Sequence, residues 1–377
     1  MQHVFVFGAG QIGTLIGWML NECSDYEVCL VDTDPNAENR IRQLFGNRSI
    51  PVLQMDAENS EQLAQLIQRY NTSAVVSALP YYHNVVVARV ARECNVHYFD
   101  LTEDTSVTTA IKEIAKGSRN AFVPQCGLAP GFINIVAKAI IEKFQSPQNV
   151  KLRVGALPQY PSNQLKYALT WSTDGLINEY GNLCPCISDG KLMEVQPLEG
   201  LEEIEIDGTL YEAFNTSGGL GSMVDTYKGR IKYLDYKTIR YPGHCMKMRL
   251  LMNELNLNSD RPTLKRLLEN ALPKTIQDVV VVFVSVCGLQ NGSLREENYV
   301  NRFYPQEIAG RLWSAIQITT SAGVCGVVDH VLMSTKPYSG FVAQEDFQLR
   351  DILKGRFGKF FNCQGDYSVS PPMAKLN

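Results

Sequence analysis

The chain has little net charge, no long apolar run and no CxxC motif. Its formal charge of −4 over 377 residues creates no field that would attract nucleic acid or an anionic membrane, so we expect neither as a partner. The longest apolar run, at 279–287, is about half the length that a membrane helix needs, and its valines favour a buried strand. Strand residues begin almost at the N-terminus and leave no space for a signal segment, so we expect a cytosolic protein.

The cysteines are numerous but scattered. Ten occur along the chain, and a reducing compartment favours free, mostly buried thiols. Cys184 and Cys186 are the only close pair, and the neighbouring sequence offers no further ligands of the kind that zinc requires. We therefore predict no metal site. With 45% hydrophobic and 20% charged residues the chain is typical of globular proteins, and its length predicts about two domains.

A glycine-rich motif near the N-terminus is the most informative positive feature. Gly8, Gly10 and Gly13 form the pattern GxGxxG between a predicted strand and a predicted helix. Glycines at this spacing allow a tight turn, close approach of the backbone to a pyrophosphate and close packing of the helix. Gln11 and Ile12 begin that helix, whose free N–H groups can face a phosphate. The motif predicts a dinucleotide cofactor bound through these five residues.

Asp32 ends the next predicted strand and indicates which dinucleotide is bound. A carboxylate at this place accepts hydrogen bonds from the ribose hydroxyls and repels a 2′-phosphate, so NAD is favoured over NADP. Arg40 and Arg42 follow in the next helix and could approach such a phosphate, which keeps NADP possible. Ala78 and Leu79, at the end of the fourth predicted strand, complete the expected cofactor contacts.

Strand and helix patterns alternate through the first third of the chain. Helical segments with apolar positions three and four apart separate short apolar runs, as in βαβ units. The predicted strands are 3–7, 27–31, 51–53, 74–78, 97–100 and 121–124. This order predicts an α/β protein with a Rossmann-type, doubly wound parallel sheet.

The pattern changes after residue 150, where alternating segments predict strands at 165–171 and 203–214. Asp207 and Gly208 predict a hairpin turn within the second of these. An inserted α/β domain with a mixed sheet is therefore expected. The remaining predicted elements are an apolar helix from Gly131 that Pro147 closes, a helix at 261–272, a strand from Val279, a buried apolar helix at 308–333 and a loose tail from Ser368.

Three polar segments follow the fourth, fifth and sixth predicted strands. In an open parallel sheet the ligand crevice lies beyond the carboxyl ends of the strands, so these segments face the reactive end of the cofactor. They contribute, in order, Tyr81 and His83, then Asp100, then Cys126 and Gly127. The third segment begins a helix, whose first N–H groups are unpaired and can bind an anion. An alternative is that its glycine and proline only turn the chain between two domains.

The motifs GAGQIG, SALPYYHN, PQCGLAPGF, WSTDGLINEY and RYPGH occur in this order over nearly the whole chain. In this combination the chain resembles the saccharopine dehydrogenase and lysine 6-dehydrogenase family, and LINEY and RYPGH make the lysine 6-dehydrogenase branch the nearer one. The resemblance implies a Rossmann domain at 1–125, a substrate-binding and dimerisation domain at 126–325, and a segment at 326–377 that returns to the first domain. It also implies a homodimer, and a substrate site lined by Tyr81, Cys126 and Gly127.

Oxidation at a carbon that bears nitrogen, which the resemblance implies, needs a proton acceptor. An amine gives up a hydride only when it is neutral, and a lysine amine with its ordinary pKa of about 10.4 is protonated near neutral pH. His244 in RYPGH is the first candidate for the base, and His83 is the second. Asp100 could orient either histidine, and Tyr81 completes the predicted catalytic set. Each histidine also has the alternative of a purely structural role.

The predicted substrate contacts are Arg240, Cys126, Gly127, Trp171 and Ser172. Arg240 can bind a carboxylate through two parallel hydrogen bonds, although an interdomain ion pair is an alternative. Trp171 and Ser172 lie where a strand pattern gives way to a helix, so the serine could instead cap that helix. Asp174 and Glu179, which follow in the same motif, could hold an ammonium group of an amino-acid substrate.

Three functions are compatible with these features. The leading hypothesis is an NAD(P)-dependent amino-acid dehydrogenase of the lysine 6-dehydrogenase type, which converts a terminal amine to the semialdehyde by oxidative deamination. An enzyme of the saccharopine dehydrogenase or carboxynorspermidine dehydrogenase type is the alternative, and its larger substrate would need further charged clamps. A non-catalytic NAD-binding regulatory protein is the third hypothesis.

Overall fold

The computed structural model of the chain describes residues 1–362. Within this range the fold is built around two large sheets, each covered by its own helices. The predicted tail from Ser368 lies outside the described residues.

The first third of the chain forms a parallel sheet, as predicted. Its strands there are β1 (Gln2–Phe7), β2 (Tyr26–Asp32), β3 (Val52–Gln54), β4 (Ala74–Ser77), β5 (His97–Asp100) and β6 (Ala121–Val123). The helices that follow these strands in turn are α1 (Gln11–Asn21), α2 (Ala37–Phe45), α3 (Ser60–Arg69), α4 (Asn84–Cys94), α5 (Thr105–Ile114) and α6 (Phe132–Ile141).

The strand order in this sheet is β6-β5-β4-β1-β2-β3, so the chain winds outward from β1 in one direction and then, from β4, in the other. Both faces are buried, as a doubly wound sheet requires. Val4 and Val6 of β1 point to the core that contains α1, while Phe5 and Phe7 point to the core that contains α3, α4 and α5. The Rossmann-type prediction is therefore confirmed.

The second sheet is mixed and begins directly after α6. Its strands are β7 (Ser146–Pro158), β8 (Cys184–Ser188), β9 (Lys191–Val195), β10 (Glu202–Ile206), β11 (Thr209–Asn215), β12 (Tyr233–Arg240), β13 (Asp278–Gln290) and β14 (Ser293–Phe303). The accompanying helices are α7 (Thr173–Gly181), α8 (Met223–Tyr227), α9 (His244–Arg249) and α10 (Arg261–Ala271).

The main path of this sheet is β10-β11-β12-β7-β13-β14, in which β12 and β7 are parallel and the other pairs are antiparallel. The predicted mixed sheet is thus confirmed. Asp207 and Gly208 both have positive φ, 47° and 75°, and turn β10 into β11 as the sequence predicts. The predicted helix at 261–272 corresponds to α10.

Two sequence predictions in this region are wrong. The segment 165–171 is irregular apart from a single bridge between Leu169 and Lys274. Its alternating apolar residues, such as Tyr167, fill a cluster with α7 and α10 instead of lying on a sheet face. The apolar helix α6 ends at Ile141, and Pro147 lies in the following strand, so this proline does not close the helix.

The predicted helix at 308–333 is also shorter than expected. Before it the chain forms a hairpin of β15 (Gln306–Ile308) and β16 (Arg311–Trp313), turned by Ala309 and Gly310 at positive φ. The helix α11 (Ala315–Leu332) then begins after Ser314, whose hydroxyl accepts a hydrogen bond from the backbone N–H of Gln317. The Gln317 side chain accepts in return from the Ser314 N–H, which completes a capping box.

The C-terminal part of the described chain packs against the first sheet. Helix α11 lies against α1, and after it β17 (Gly340–Phe341) pairs in parallel with β6, followed by α12 (Leu349–Lys354). Helix α11 has the length and composition of a membrane-spanning helix, but 72% of its residues are buried in the fold, as in a core helix. It runs continuously through residue 325, and the domain boundaries at 125 and 325 remain predictions.

The contact between α11 and the first sheet can be tested by one substitution. The buried phenol of Tyr26 in β2 donates a hydrogen bond of 2.7 Å to the carboxylate of Asp329 in α11. We expect Tyr26→Phe to lower the free energy of unfolding by about 2 kcal/mol, because a buried hydrogen bond to a charged group is lost. Urea unfolding measures this change, and Tyr70→Phe, at a more exposed tyrosine, is the control. Equal stabilities of the two variants would contradict the contact.

Candidate active site

The glycine-rich loop between β1 and α1 has the form that a dinucleotide requires. Gly8 has a φ of 93°, and a side chain there would also press against the Ala78 backbone. A Cβ at Gly13 would collide with the carbonyl of Gly8, so this glycine allows α1 to pack closely on the loop. A Cβ at Gly10 would meet no described atom within 4 Å. Gly10 therefore leaves open the space through which the backbone can approach a pyrophosphate.

Asp32 fixes this loop to the end of β2. One carboxylate oxygen accepts a hydrogen bond of 2.6 Å from the Ala9 N–H, and the other accepts one of 2.9 Å from the Asp34 N–H. Arg40 lies beside them, where it pairs with the Asp34 carboxylate and donates to the Ala9 carbonyl at 3.4 Å. Arg42 instead pairs with Glu38 on the exposed side of α2. The ribose end of the site thus contains both a carboxylate and one nearby guanidinium.

A cavity of about 340 Å³ opens beyond this loop, between the two sheets. Eight of the residues predicted as cofactor, substrate or catalytic contacts line it. These are Ile12, Ala78, Leu79, Tyr81, Gly127, Trp171, Ser172 and Arg240. Gln11 lies next to it and bonds through its side chain to Gln317 at the start of α11. Residues far apart in sequence therefore converge on one cleft at the carboxyl ends of the parallel strands, as the sheet topology requires.

Arg240, at the end of β12, carries a buried positive charge into the cavity. Only 2% of the residue is exposed, and the Nε hydrogen is donated to the Tyr180 hydroxyl at 2.8 Å. The guanidinium also lies 5.0 Å from the centre of the Tyr167 ring, a favourable cation–π distance. Within residues 1–362 it forms no ion pair with a carboxylate. The charge is thus held in place by neutral partners and is available to an anionic ligand.

His244 does not line the cavity, and its role as the base stays a prediction. Its Nδ1 lies 2.8 Å from the Leu165 carbonyl and its Nε2 lies 3.1 Å from the Tyr180 hydroxyl. Because Tyr180 accepts from Arg240, its own hydrogen can be donated to Nε2, and Nδ1–H then donates to Leu165. Burial, with the charge of Arg240, lowers the pKa of His244 to about 3, so the ring is neutral. His244 thus positions the Tyr180 hydroxyl through one hydrogen bond, and this hydroxyl positions the Arg240 guanidinium through another.

Two other predicted residues also lie outside the cavity lining. His83 is turned toward the surface, where its Nδ1 lies 2.8 Å from the carboxylate of Glu58. Cys126 is fully buried, and its sulfur lies 2.9 Å from the Val123 carbonyl and 3.4 Å from the amide nitrogen of Gln344. Neither side chain lines the cavity, and the predicted roles of both residues stay predictions.

Asp100 has a structural environment. Its carboxylate accepts hydrogen bonds from the Tyr98 hydroxyl at 2.7 Å and from the N–H groups of Thr102 and Gln125 at 2.9 and 3.1 Å. Burial raises the pKa of this carboxyl to about 6. Asp100 ties the ends of β5 and β6 together and does not line the cavity, and within residues 1–362 no hydrogen bond joins its carboxylate to a histidine.

Among the described residues three carboxylates line the cavity, and two of them, Asp174 and Glu179, were predicted from the sequence to hold an ammonium group. Asp174 pairs with Lys265 at 2.6 Å, while Glu179 is 6% exposed and accepts no hydrogen bond at its carboxylate from residues 1–362. Glu103, which follows β5, was missed. Burial raises the pKa of Glu103 to about 7, and burial together with the charge of Glu103 raises that of Glu179 to about 8. The position of Glu103 after a strand end was the signal that could have indicated it.

Trp171 and Ser172 take part in both structure and cavity. A Cβ at Gly175 would collide with the Trp171 ring, so this glycine lets α7 pack against the indole that lines the cavity. The Ser172 hydroxyl accepts a hydrogen bond of 3.2 Å from the Gly175 N–H and caps α7. The capping alternative for Ser172 is therefore realised, and the residue still faces the cleft.

Comparison with known proteins agrees with this architecture. Residues 4–124 match the family model described as the saccharopine dehydrogenase NADP binding domain, and residues 127–359 match the saccharopine dehydrogenase C-terminal domain. The chain belongs to the saccharopine dehydrogenase family. It is an α/β enzyme of the NAD(P)-dependent amino-acid dehydrogenases, and the geometry of the glycine-rich loop fits that cofactor.

Individual relatives are distant. The chain is similar to apo saccharopine dehydrogenase (L-Glu forming) from Saccharomyces cerevisiae, with a TM-score of 0.75, 15% identity, and coverage of 96% of this chain and 98% of that one. It is 23% and 24% identical to the mitochondrial alpha-aminoadipic semialdehyde synthases of Rattus norvegicus and Mus musculus, over 52% of this chain. The match spans only 21% of the length of those relatives. The structural likeness thus supports the fold.

Gly10 provides a test of cofactor binding that is separate from folding. Because space is open at Gly10, we expect Gly10→Ala to keep the thermal stability of the wild type while the added methyl group blocks the pyrophosphate. The dissociation constant for NADH should rise about tenfold or more, which is about 1.4 kcal/mol, as measured by fluorescence titration. Gly13→Ala is the contrasting variant and should lose thermal stability. Unchanged NADH affinity in Gly10→Ala would contradict the assignment of the loop.

The positioning role of His244 can be separated from a role as base. His244→Asn and Tyr180→Phe both break the link between the two side chains, so each should weaken binding of a carboxylate ligand about tenfold. We expect the two variants to have similar kcat values and unchanged pH profiles. Steady-state kinetics of both measures this. A loss of kcat confined to His244→Asn would show that the histidine is the proton acceptor.

Proposed function

We propose that this enzyme oxidises the carbon–nitrogen bond at the terminal amine of a basic amino acid that bears one carboxylate, as a lysine 6-dehydrogenase does. The charges that line the cavity carry this proposal. Among residues 1–362, Arg240 is the one cation of the lining, and Glu103, Asp174 and Glu179 are its carboxylates. One carboxylate of the substrate pairs with the arginine, and the amines of the substrate pair with the acidic groups.

The roles of the chain and the cofactor are distinct. When bound, an oxidised nicotinamide coenzyme would supply the acceptor for the hydride that leaves the carbon beside the nitrogen. The chain binds the substrate through Arg240, orients it against the apolar walls formed by Trp171 and Leu128, and receives a proton from the amine. The resulting imine is hydrolysed to the semialdehyde and ammonia. The hydride transfer needs a neutral amine, because a protonated nitrogen has no lone pair with which to form the carbon–nitrogen double bond.

A substrate of the saccharopine type is less compatible with the cavity. Saccharopine has three carboxylates, and each needs a cationic or hydrogen-bonding partner when it is buried. Arg153, an arginine that could serve as a further clamp, is 1% exposed and already bound to Glu202 and Asp235. A carboxynorspermidine-type substrate, with one carboxylate and several amines, agrees with the acidic lining and is the second candidate. A regulatory NAD-binding protein would not require this set of buried charges.

Asp32 supports NAD as the preferred coenzyme, because its carboxylate lies at the end of β2 where a 2′-phosphate would be repelled. Arg40 is held by Asp34, which offsets the attraction that its charge would otherwise offer to that phosphate. We propose a preference for NAD on this basis. Homodimer formation and a cytosolic location remain predictions from the sequence.

A substrate panel tests the proposed function. Purified protein is incubated with lysine, ornithine, saccharopine or a carboxylated triamine, each with NAD and with NADP, and the absorbance of the reduced coenzyme is followed. We expect lysine with NAD to give the highest kcat/KM and saccharopine to give little signal, since its additional carboxylates meet the acidic lining. Gly10→Ala is the control for reduction that does not depend on bound coenzyme. Faster turnover of saccharopine than of lysine would contradict the proposal.

A further inference from the structure

We propose that Glu103 and Glu179 form one proton-accepting pair, in which Glu103 takes the proton from the amine that is oxidised and Glu179 can share that proton. The inference rests on the proposed function, because it assigns a proton acceptor to that reaction. It replaces the histidines and Asp100, which the structure places outside the cavity. The two residues come from different parts of the fold. Glu103 follows β5 of the parallel sheet, and Glu179 lies in α7, which accompanies the mixed sheet.

A short loop at 216–219 fixes the two residues relative to each other. The N–H of Ser217 donates a hydrogen bond of 2.9 Å to the carbonyl of Glu179. The next residue, Gly218, has a φ of 90° and packs so closely on Glu103 that a Cβ would come within 2.5 Å of the Glu103 carbonyl. The same loop therefore touches both backbones. A side chain at Gly218 would push the end of β5 away from α7 and separate the pair.

A second contact joins the same two elements. Asn178, which precedes Glu179 in α7, donates from its side-chain amide to the carboxylate of Asp104 at 3.3 Å. Asp104 follows Glu103 and caps α5 through the Val107 N–H. The neighbours of both glutamates are thus bonded to each other, which holds the two backbones close together.

The carboxylate of Glu179 points to a ligand. It is nine-tenths buried, lines the cavity and accepts no hydrogen bond from any group in the described part of the chain. A buried carboxylate without a partner is costly, and the cost is removed when an ammonium group or a proton fills the space beside it. Arg240 lies near enough for its charge to act on Glu179 but forms no ion pair with it. The arginine thus remains available to the substrate carboxylate.

The surroundings place the titration of the pair near neutral pH. Burial raises the pKa of Glu103 to about 7 and that of Glu179 to about 8, while the positive charge of Arg240 lowers the latter. The groups whose charges act on Glu103 are Asp100 and Asp104, with the Asn178 amide and the Tyr81 hydroxyl beside them. Those around Glu179 are Arg240, Tyr167, Tyr180, Tyr236 and Cys184. A base that titrates near the working pH is the efficient kind.

The proton transfer balances with the oxidation. The N–H bond of the substrate ammonium breaks, and its proton forms an O–H bond on the ionised Glu103, which leaves a neutral amine. The C–H bond beside the nitrogen then breaks, its hydrogen and electron pair leave for the oxidised coenzyme, and the lone pair of the nitrogen forms the carbon–nitrogen double bond. The product is a protonated imine, to which water adds, and the nitrogen departs as ammonium. Glu103 afterwards releases its proton to solvent or shares it with Glu179.

Glu103→Gln is the direct test. We expect kcat to fall about 100-fold or more, because a positioned general base contributes this much, and the rise of kcat/KM through about pH 7 to disappear. Glu103→Asp should restore part of the activity. Glu179→Gln should leave the pH of that rise nearly unchanged, because Glu179 has the higher pKa and is already protonated where Glu103 titrates. Retention of kcat and of the pH dependence in Glu103→Gln would overturn the inference.

Glu345→Gln is the matched control. This carboxylate is also buried and has a raised pKa, but it accepts from the hydroxyls of Ser222 and Thr226 away from the cavity. We expect the Glu345→Gln substitution to leave kcat and the pH profile nearly unchanged. Thermal unfolding of all variants shows whether a loss of activity reflects a loss of folded protein.

Infrared titration of the protein without coenzyme gives a readout that does not depend on turnover. The stretch of protonated carboxyls should be lost between about pH 6 and 9 in the wild type, and Glu103→Gln should move the remaining loss from Glu179 to lower pH. A titration that is the same in the wild type, in Glu103→Gln and in Glu179→Gln would overturn the proposed pair. If the wild type oxidises no amine, the proposed function and the proton transfer both fail, whereas an active wild type with an unaffected Glu103→Gln rejects the proton transfer alone.

Discussion

A buried guanidinium, that of Arg240, and the carboxylates of Glu103 and Glu179 share one cavity without an ion pair between the guanidinium and either carboxylate, and the rest of the site depends on this arrangement. Placing such charges in the interior costs folding free energy unless partners compensate them. Arg240 is compensated in part by the Tyr180 hydroxyl and two aromatic rings, while Glu179 has no such partner among residues 1–362. A substrate with one carboxylate and a terminal amine supplies both missing partners. The cavity is therefore complementary to a zwitterionic, basic molecule.

The two sheets contribute different residues to the site. The parallel sheet supplies the glycine-rich loop and the strand ends that carry Tyr81 and Glu103, while the mixed sheet and α7 supply Arg240 and Glu179. Small residues at the contact allow the two to approach, as Gly218 does against Glu103. Helix α11, packed on α1, joins the C-terminal part of the chain to the same cleft. The site is therefore formed by residues from both the parallel sheet and the mixed sheet, together with their helices.

The sequence could predict those parts of the fold that depend on local pattern. The GxGxxG loop, the parallel order of the first strands and the turn at Asp207 and Gly208 follow from spacing and from residues that tolerate positive φ. Tertiary contacts could not be predicted in this way. His244 follows Arg240 closely in RYPGH, but its ring lies behind Tyr180, and only the fold decides which of the two faces the cavity. Glu103 was missed because nothing in its neighbourhood shows that α7 packs against the end of β5.

Calorimetric titration of the enzyme saturated with NADH, using lysine and norleucine, tests the central claim most directly. The two amino acids carry the same α-carboxylate and α-amine, and only lysine has the terminal amine that the acidic groups are expected to bind. The account predicts that norleucine binds about tenfold or more weakly, because the buried carboxylates are then left without a partner. Equal affinity for the two amino acids would contradict it.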